Sequence, residues 1–319
     1  MSAVKEGETK VKKPELLVTP HSVDSIEPLI ATGADAFVLG EQRYGLRLAG
    51  EFNREDMKHA IGKAHAKGKK VYVAVNAIFH NDIANELDDY IAFVKEAGAD
   101  AIIFGDPAVL MAVRAVAPDM PLHWNTETTA TNYFTCNYWG QRGAVRAVLA
   151  RELSMDEVIE VKENAEVAIE VQVHGMTCMF QSKRPLLGHY FEYQGKVMEI
   201  ENRKEAKNML LYDKERDNKY PIFEDQNGTH IMSPNDICII DELAEMIEAG
   251  IDSFKIDGVL HSPEYLLEVT KLYRQAIDLC VENLEEYEEV KEELLEKIEE
   301  LQPAHRPLDT GFFFKETVY

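Results

Sequence analysis

Short, mostly apolar runs alternate along this chain with longer stretches whose apolar positions return every three or four residues. The runs are ELLVT (15–19), AFVLG (36–40), VYVAVN (71–76), AIIFGD (101–106), PLHWNT (121–126), VRAVLA (145–150), AIEVQVHG (168–175) and SFKIDG (253–258). A run without polar alternation reads as a strand buried on both faces, and the period between runs is that of an amphipathic helix. The phrases ATGADAFVLG, KEAGADAIIFG and IEAGIDSFKIDG repeat one logic: a helix stopped by glycine, an aspartate, then a buried strand. Eight such units predict a closed (β/α)8, TIM-like barrel, with an open doubly wound sheet as the alternative.

The rhythm breaks between the seventh and eighth strands. KYPIFEDQNGTHIMS alternates polar and apolar positions around Asn227-Gly228, a hairpin turn signal. HYFEYQGKVMEI and NMLLYD upstream also read as strands, which predicts a small β-rich insertion over about 186–233. SPNDICIIDELAEMIEAG reads as the helix leading into the eighth strand. Beyond that strand, Ser262-Pro263 opens an amphipathic helix. Residues 281–300 carry ten glutamates, read as a solvated helical face. The chain thus divides into a flexible tail (1–13), the barrel with its insertion (14–280), and an acidic helix with a C-terminal tail packed on the barrel (281–319). Three successive phenylalanines, Phe312 to Phe314, call for burial of that tail.

Charge narrows the function. Thirty-four basic residues stand against 57 acidic ones, a net −23. That argues against a broad basic footprint for nucleic acid, so any RNA contact needs a local patch or a partner. No apolar run approaches a membrane span of about 18 residues, and no apolar leader core opens the sequence. The expectation is a cytoplasmic protein without membrane contact. Cys136, Cys178, Cys238 and Cys280 are then expected as reduced thiols or ligands.

Polar groups just after barrel strands point into one mouth. Here they are Thr19, Glu41, Asn76, Asp106, Asn125, Arg151, Glu152, His174, Lys255 and Asp257, with Arg43 and Arg47 following Glu41. The mixture suits a small polar or anionic ligand. Arg47 either holds a carboxylate or phosphate or is spent in a structural ion pair. Lys255 is a candidate base or Schiff-base lysine, or the partner of a neighbouring acid. In HGMTCMFQSKRP, His174 and Cys178 are candidates for a base and a nucleophile, or for one corner of a metal site, on a loop. The plain alternative for the cysteine is a small buried hydrophobe. HExxH, GxSxG and Walker motifs are absent.

EVQVHGMTCMFQSKR, MSPNDICIIDELAEMIEAGIDSFKIDG, SPEYLLEVTKLYRQAID and RPLDTGFFFKETVY, in this order, resemble the peptidase U32, or collagenase-like protease, family from about residue 14 onward. The resemblance implies one of two activities. Some members are named as collagen-cleaving hydrolases. Others are iron–sulfur proteins of hydroxylation pathways, serving oxygen-independent ubiquinone synthesis or prephenate-dependent 5-hydroxylation of the tRNA wobble uridine. Within the family the chain is similar to the shorter, cysteine-poor Gram-positive members linked to tRNA 5-hydroxyuridine.

Hydroxylase-like members hold a [4Fe–4S] cluster on four cysteines. Their first ends HGxxC and falls on Cys178, and their fourth falls on Cys238 in NDIC. The second position is Pro185 here, and no cysteine between 178 and 238 supplies the third. The resemblance therefore implies no cofactor on this chain alone. It implies a heteromer with a cysteine-complete paralogue, tRNA contact through that partner, and a small anionic metabolite such as prephenate as ligand. A residual two-cysteine metal site would need His174 or His189. A peptidase and a non-catalytic metabolite-binding barrel are the competing readings.

Overall fold

The computed structural model describes residues 11–196 and 209–315. Its strands in chain order are β1 (Glu15–Val18), β2 (Ala36–Leu39), β3 (Lys70–Val75), β4 (Ala101–Phe104), β5 (Leu122–Trp124), β6 (Ala144–Val148), β7 (Ala168–Ser182), β8 (Leu210–Asp213), β9 (Asn218–Asp225), β10 (Gly228–Cys238), β11 (Ser253–Ile256) and β12 (Leu308–Asp309). The helices are α1 (Ile26–Ala31), α2 (Arg54–His65), α3 (Asn81–Ala84), α4 (Leu87–Ala97), α5 (Pro107–Val116), α6 (Tyr133–Gly140), α7 (Met155–Asn164), α8 (Leu186–Tyr193), α9 (Leu243–Glu248), α10 (Pro263–Glu282) and α11 (Leu284–Leu301).

Strands β1 to β7 pair in parallel with their neighbours in sequence. Strand β11 then bonds to both β7 and β1 and closes the barrel. Leu17, Ala36, Val38, Tyr72, Ala74, Ala101 and Ile103 fill the interior. A larger apolar layer lies between the strands and the helices. The residues that stop helices do so by the expected means. Gly98 ends α4 in the left-handed region at φ 87°, where a glycine carries no steric cost. Asn53, Asp106 and Ser154 cap α2, α5 and α7 with their side-chain oxygens. Ser262 accepts the Tyr265 N–H at the start of α10, with Pro263 in its first turn.

The region between the seventh and eighth barrel strands departs from the sequence reading in three places. HGMTC is strand, not loop: β7 continues to Ser182 because its outer half pairs antiparallel with β10. Residues 186–193 form helix α8 where HYFEYQ read as strand, and 197–200 lie outside the described residues. Residues 233–238, read as the start of a helix, belong to β10, and α9 spans only 243–248. The Asn227-Gly228 hairpin joins β9 to β10, with Gly228 at φ 102°.

Beyond the barrel, α11 buries Tyr287, Leu294 and Ile298, and each of its glutamates is exposed. Fully burying each apolar side chain of this kind contributes about 1.5–3 kcal/mol, so a narrow stripe suffices to dock an acidic helix. The segment after it turns back along the barrel. Residues 308–309 pair in parallel with β10, and Arg306 donates to both oxygens of buried Asp236 at 2.9 Å. Of the three phenylalanines Phe313 alone is buried; Phe312 and Phe314 are exposed. At the other end, Lys12 and Lys13 pair with Asp252 and Asp278, and residues 1–10 lie outside the described residues. No helix among the described residues is long and apolar enough to cross a membrane.

Candidate ligand site at the barrel mouth

The strand ends, the loop 40–48 and the outer halves of β7 and β10 enclose two adjoining spaces. The outer one is an open pocket of about 440 Å³ lined by Ile78, Asp106, Thr126, Thr128, Met179, Phe180 and Gln181 among others. A pocket of that size accommodates a small organic ligand. The inner one holds about 30 Å³, room for a water or two, and is lined by Thr19, Glu170, Met176, Met232, Lys255 and Asp257 among others. Leu46, Arg47, Asn76, Asn125, Glu127 and Cys178 line both spaces and so form the partition between them.

Two members of that partition hold unusual backbone. Arg47 has φ 47° and Glu127 φ 65°, the left-handed region that costs a non-glycine residue about 1–3 kcal/mol. Neighbouring amides hold both turns in place. Asn76 Oδ1 accepts the Leu46 N–H at 3.0 Å, and Asn125 Oδ1 accepts the Glu127 N–H at 2.9 Å. Asn227 Nδ2 donates to the carbonyls of Gln42 (2.7 Å) and Gly45 (3.2 Å), which ties the Arg47 loop to the β9–β10 hairpin. Asn76 and Asn125 thus spend their oxygens on the scaffold and keep their amide N–H groups for a ligand.

Their side chains then meet. Arg47 Nη2 donates to Glu127, while Nη1 donates to Gln181 at 3.0 Å and approaches His230 Nδ1 at 3.5 Å. Because Nδ1 faces a donor, the His230 proton sits on Nε2, directed at Asp225 3.1 Å away. Arg151 lies 3.5 Å from Glu127. Lys255 pairs with Asp257 at 3.0 Å, and Asp257 also accepts the Val259 N–H. Burial opposes ionisation of Glu127, but Arg47 and Arg151 outweigh it and hold the carboxyl at about 2. Asp257 is likewise held below the usual range against its burial, by Lys255 and then Arg151. Arg47, Arg151 and Lys255 thus converge on Glu127 and Asp257 around the partition, and an anion arriving there meets cations already gathered. Glu170 lines the inner space beneath them; burial raises its pKa, and Arg146, 3.1 Å away, is shared with Glu15 at 2.8 Å.

The other residues singled out in the sequence fall in different places. Cys178 is half-buried at the mouth, its Sγ directed at the Phe180 carbonyl 3.4 Å away, and burial pushes its thiol up. His174 is not beside it. A register shift in the β7–β11 pairing, together with Gly175 at φ 105°, turns the imidazole out of the barrel toward α10. There its Nε2 lies 2.7 Å from the Tyr265 hydroxyl, and burial lowers its pKa to about 3. No nucleophile–base pair forms between Cys178 and His174. Asp106 caps α5 and touches the outer pocket. Glu41 lies outside both spaces, 3.6 Å from Arg54, and Arg43 pairs with Glu86 on the surface. Glu152 is exposed and also lies outside them.

The thiols do not fit a four-thiolate cluster. In the β7–β10 ladder Cys178 stands opposite Met232, whereas Cys238 stands opposite His174. Cys238 is packed in the core beside the Tyr273 hydroxyl, and burial pushes its thiol to about 12. The two family positions that carry cysteine are thus several residues apart along one ladder, and Pro185 offers no ligand atom. Among the described residues no three His, Cys, Asp or Glu side chains gather as a metal site. The sequence reading did not single out Glu127, Gln181 and His230. The one signal for them was position: Glu127 two residues past Asn125, and His230 just after the hairpin turn.

The chain matches the family model for peptidase family U32 over residues 21–318. It is 72% identical over 309 residues to the tRNA hydroxylation protein P2 of Bacillus subtilis, covering 97% of this chain and all of that protein. It is 32% identical to tRNA hydroxylation protein P1 of the same organism, over 95% of this chain and 71% of that one. The tRNA hydroxylation protein P of Escherichia coli is 33% identical over 96% of this chain and 75% of its own length.

Proposed function

The chain belongs to the peptidase U32 family, and from that premise we propose that it is a component of tRNA hydroxylation, acting at the wobble uridine beside a longer, cysteine-complete paralogue. The observation that carries this reading is the 72% identity to a protein of that name over its whole length. That B. subtilis has relatives of both kinds, P1 and P2, supports a paired arrangement. The net charge of −23 fits a subunit that leaves most RNA contact to its partner. The outer pocket at the barrel mouth serves in this reading as a receptor for a small anionic metabolite such as prephenate, held by Arg47 on its wall. An iron–sulfur cluster, where the pathway needs one, belongs to the partner; Pro185 and the separation of Cys178 from Cys238 support that division.

The peptidase reading has less behind it. Cys178 lacks His174 as its base, and Lys255 is engaged with Asp257. The test is nucleoside mass spectrometry of total tRNA from a strain lacking this gene alone, and from one lacking its longer paralogue as well. The expected result is a loss of 5-hydroxyuridine derivatives in the first strain, deepened in the second. Unchanged tRNA in both strains refutes the reading.

A further inference from the structure

We propose that Glu127 is a built-in carboxylate that occupies the ligand's place on Arg47 until a ligand carboxylate displaces it, whereupon Glu127 shifts to Arg151. The inference rests on the reading of the mouth as an anion receptor and adds how that receptor is kept closed.

Four observations carry it. First, the Arg47–Glu127 pair forms part of the wall between the outer pocket and the small inner space, so both carboxylate and guanidinium border the volume a ligand would fill. Second, the two ends of the guanidinium are held differently. Nη1 is fixed by Gln181 and lies near His230, while Glu127 is the partner of Nη2. An incoming carboxylate can take Nη2 without loosening Nη1. Third, Glu127 has a second cation at hand, Arg151 at 3.5 Å, so leaving Arg47 does not strand a buried charge. Fourth, both residues sit in left-handed backbone held by Asn76 and Asn125. Strain of that kind persists where the surroundings over-determine it, and it is concentrated at ligand clamps and switches. An ordinary structural ion pair needs neither the strained turns nor a spare cation.

The exchange balances in charge: one carboxylate leaves Nη2 as another arrives, and the displaced one finds Arg151. Ligand affinity is therefore reduced by competition with a tethered group, and removing the competitor's charge strengthens binding.

The test is calorimetric titration of the full chain with prephenate, with inorganic phosphate as a second anion. Glu127→Gln is expected to bind prephenate at least about tenfold tighter than the unsubstituted chain. Arg151→Gln is expected to weaken binding by about tenfold when Glu127 is present, but by less than about threefold in the Glu127→Gln background. That non-additivity reads out Arg151 as the place Glu127 moves to. If Glu127→Gln does not fold, Glu127→Asp decides: its shorter carboxylate competes less well, so binding still tightens. Equal or weaker binding by the Glu127 variants, with prephenate bound by the unsubstituted chain, overturns the placeholder and leaves the anion site standing. Additive effects of the two substitutions also overturn it. Absence of binding in every variant overturns the anion site itself.

Discussion

His174 offers a direct test of the reasoning that separates scaffold from chemistry at this mouth. The imidazole is fully buried between β7 and α10, near Tyr265, Tyr273 and His261. The Tyr265 hydroxyl donates to Gln302 at 2.5 Å, so the contact with His174 is donated by Nε2–H, as a neutral ring requires. Burial lowers the pKa from 6.5 to about 3. The unfolded chain therefore takes up a proton near pH 6.5 that the folded chain refuses. Stability from this group is complete above about pH 7 and is lost as the pH falls from 6.5 toward 3. The loss at pH 5 comes to about 2 kcal/mol, against about 0.2 at pH 7. For a chain of 319 residues that is a fall in Tm of roughly 3 °C. The assay compares thermal melts of the unsubstituted chain and His174→Gln between pH 7 and pH 5. Glutamine keeps an N–H donor for Tyr265 and does not titrate. His21, His123 and His261, whose pKa values burial also lowers, are common to both proteins and cancel. The variant's Tm should fall by roughly 3 °C less over this range. Parallel curves would show that His174 reaches solvent and would reopen it as a base.

Three further outcomes follow from the same geometry. A Cβ on Gly175 would lie 2.4 Å from the Asp257 carbonyl at a φ of 105°, so Gly175→Ala should cost about 2–4 kcal/mol in urea unfolding and weaken prephenate binding by displacing Asp257. Cys178→Ser replaces a half-buried thiol with a weak hydrogen bond, so it should shift stability by less than about 1 kcal/mol. The unsubstituted chain, purified without oxygen, should carry less than one iron; about four irons per chain, lost in Cys178→Ser, would refute the division of the cluster to the partner.

The barrel was legible because its signals are local. Mostly apolar runs, glycine stops such as Gly98 and the Ser262-Pro263 start each act within a few residues. The insertion was less so, because its structure depends on pairing between distant segments. The half of β7 beyond Gly175 shows no clean alternation, and it is strand because β10 lies beside it. IIDELAEMIEAG has a helical period, yet residues 233–238 ahead of it are drawn into the sheet by β7 and β12. The mouth was half legible. Strand-end position found Asn76, Asn125, Lys255 and Asp257, and Arg47 followed from the loop after β2. The same rule misplaced His174, because a single register shift reverses which face a side chain takes. It also passed over Glu127, whose importance lies in a backbone turn and an ion partner 80 residues away.

The closure of the barrel has a consequence for how the chain is made. Strand β1 bonds to β2 on one side and to β11, residues 253–256, on the other. During synthesis, which proceeds from the N-terminus, β1 keeps an open edge until nearly the whole barrel has been translated. The Asp236 site is completed later still, since Arg306 follows it by 70 residues. A nascent chain halted before that arginine has His261 and Gln302 for Asp236 but lacks the guanidinium that bonds both its oxygens. A chain halted before β11 leaves β1 with an unpaired strand edge, the kind of surface that invites wrong pairing until the barrel closes.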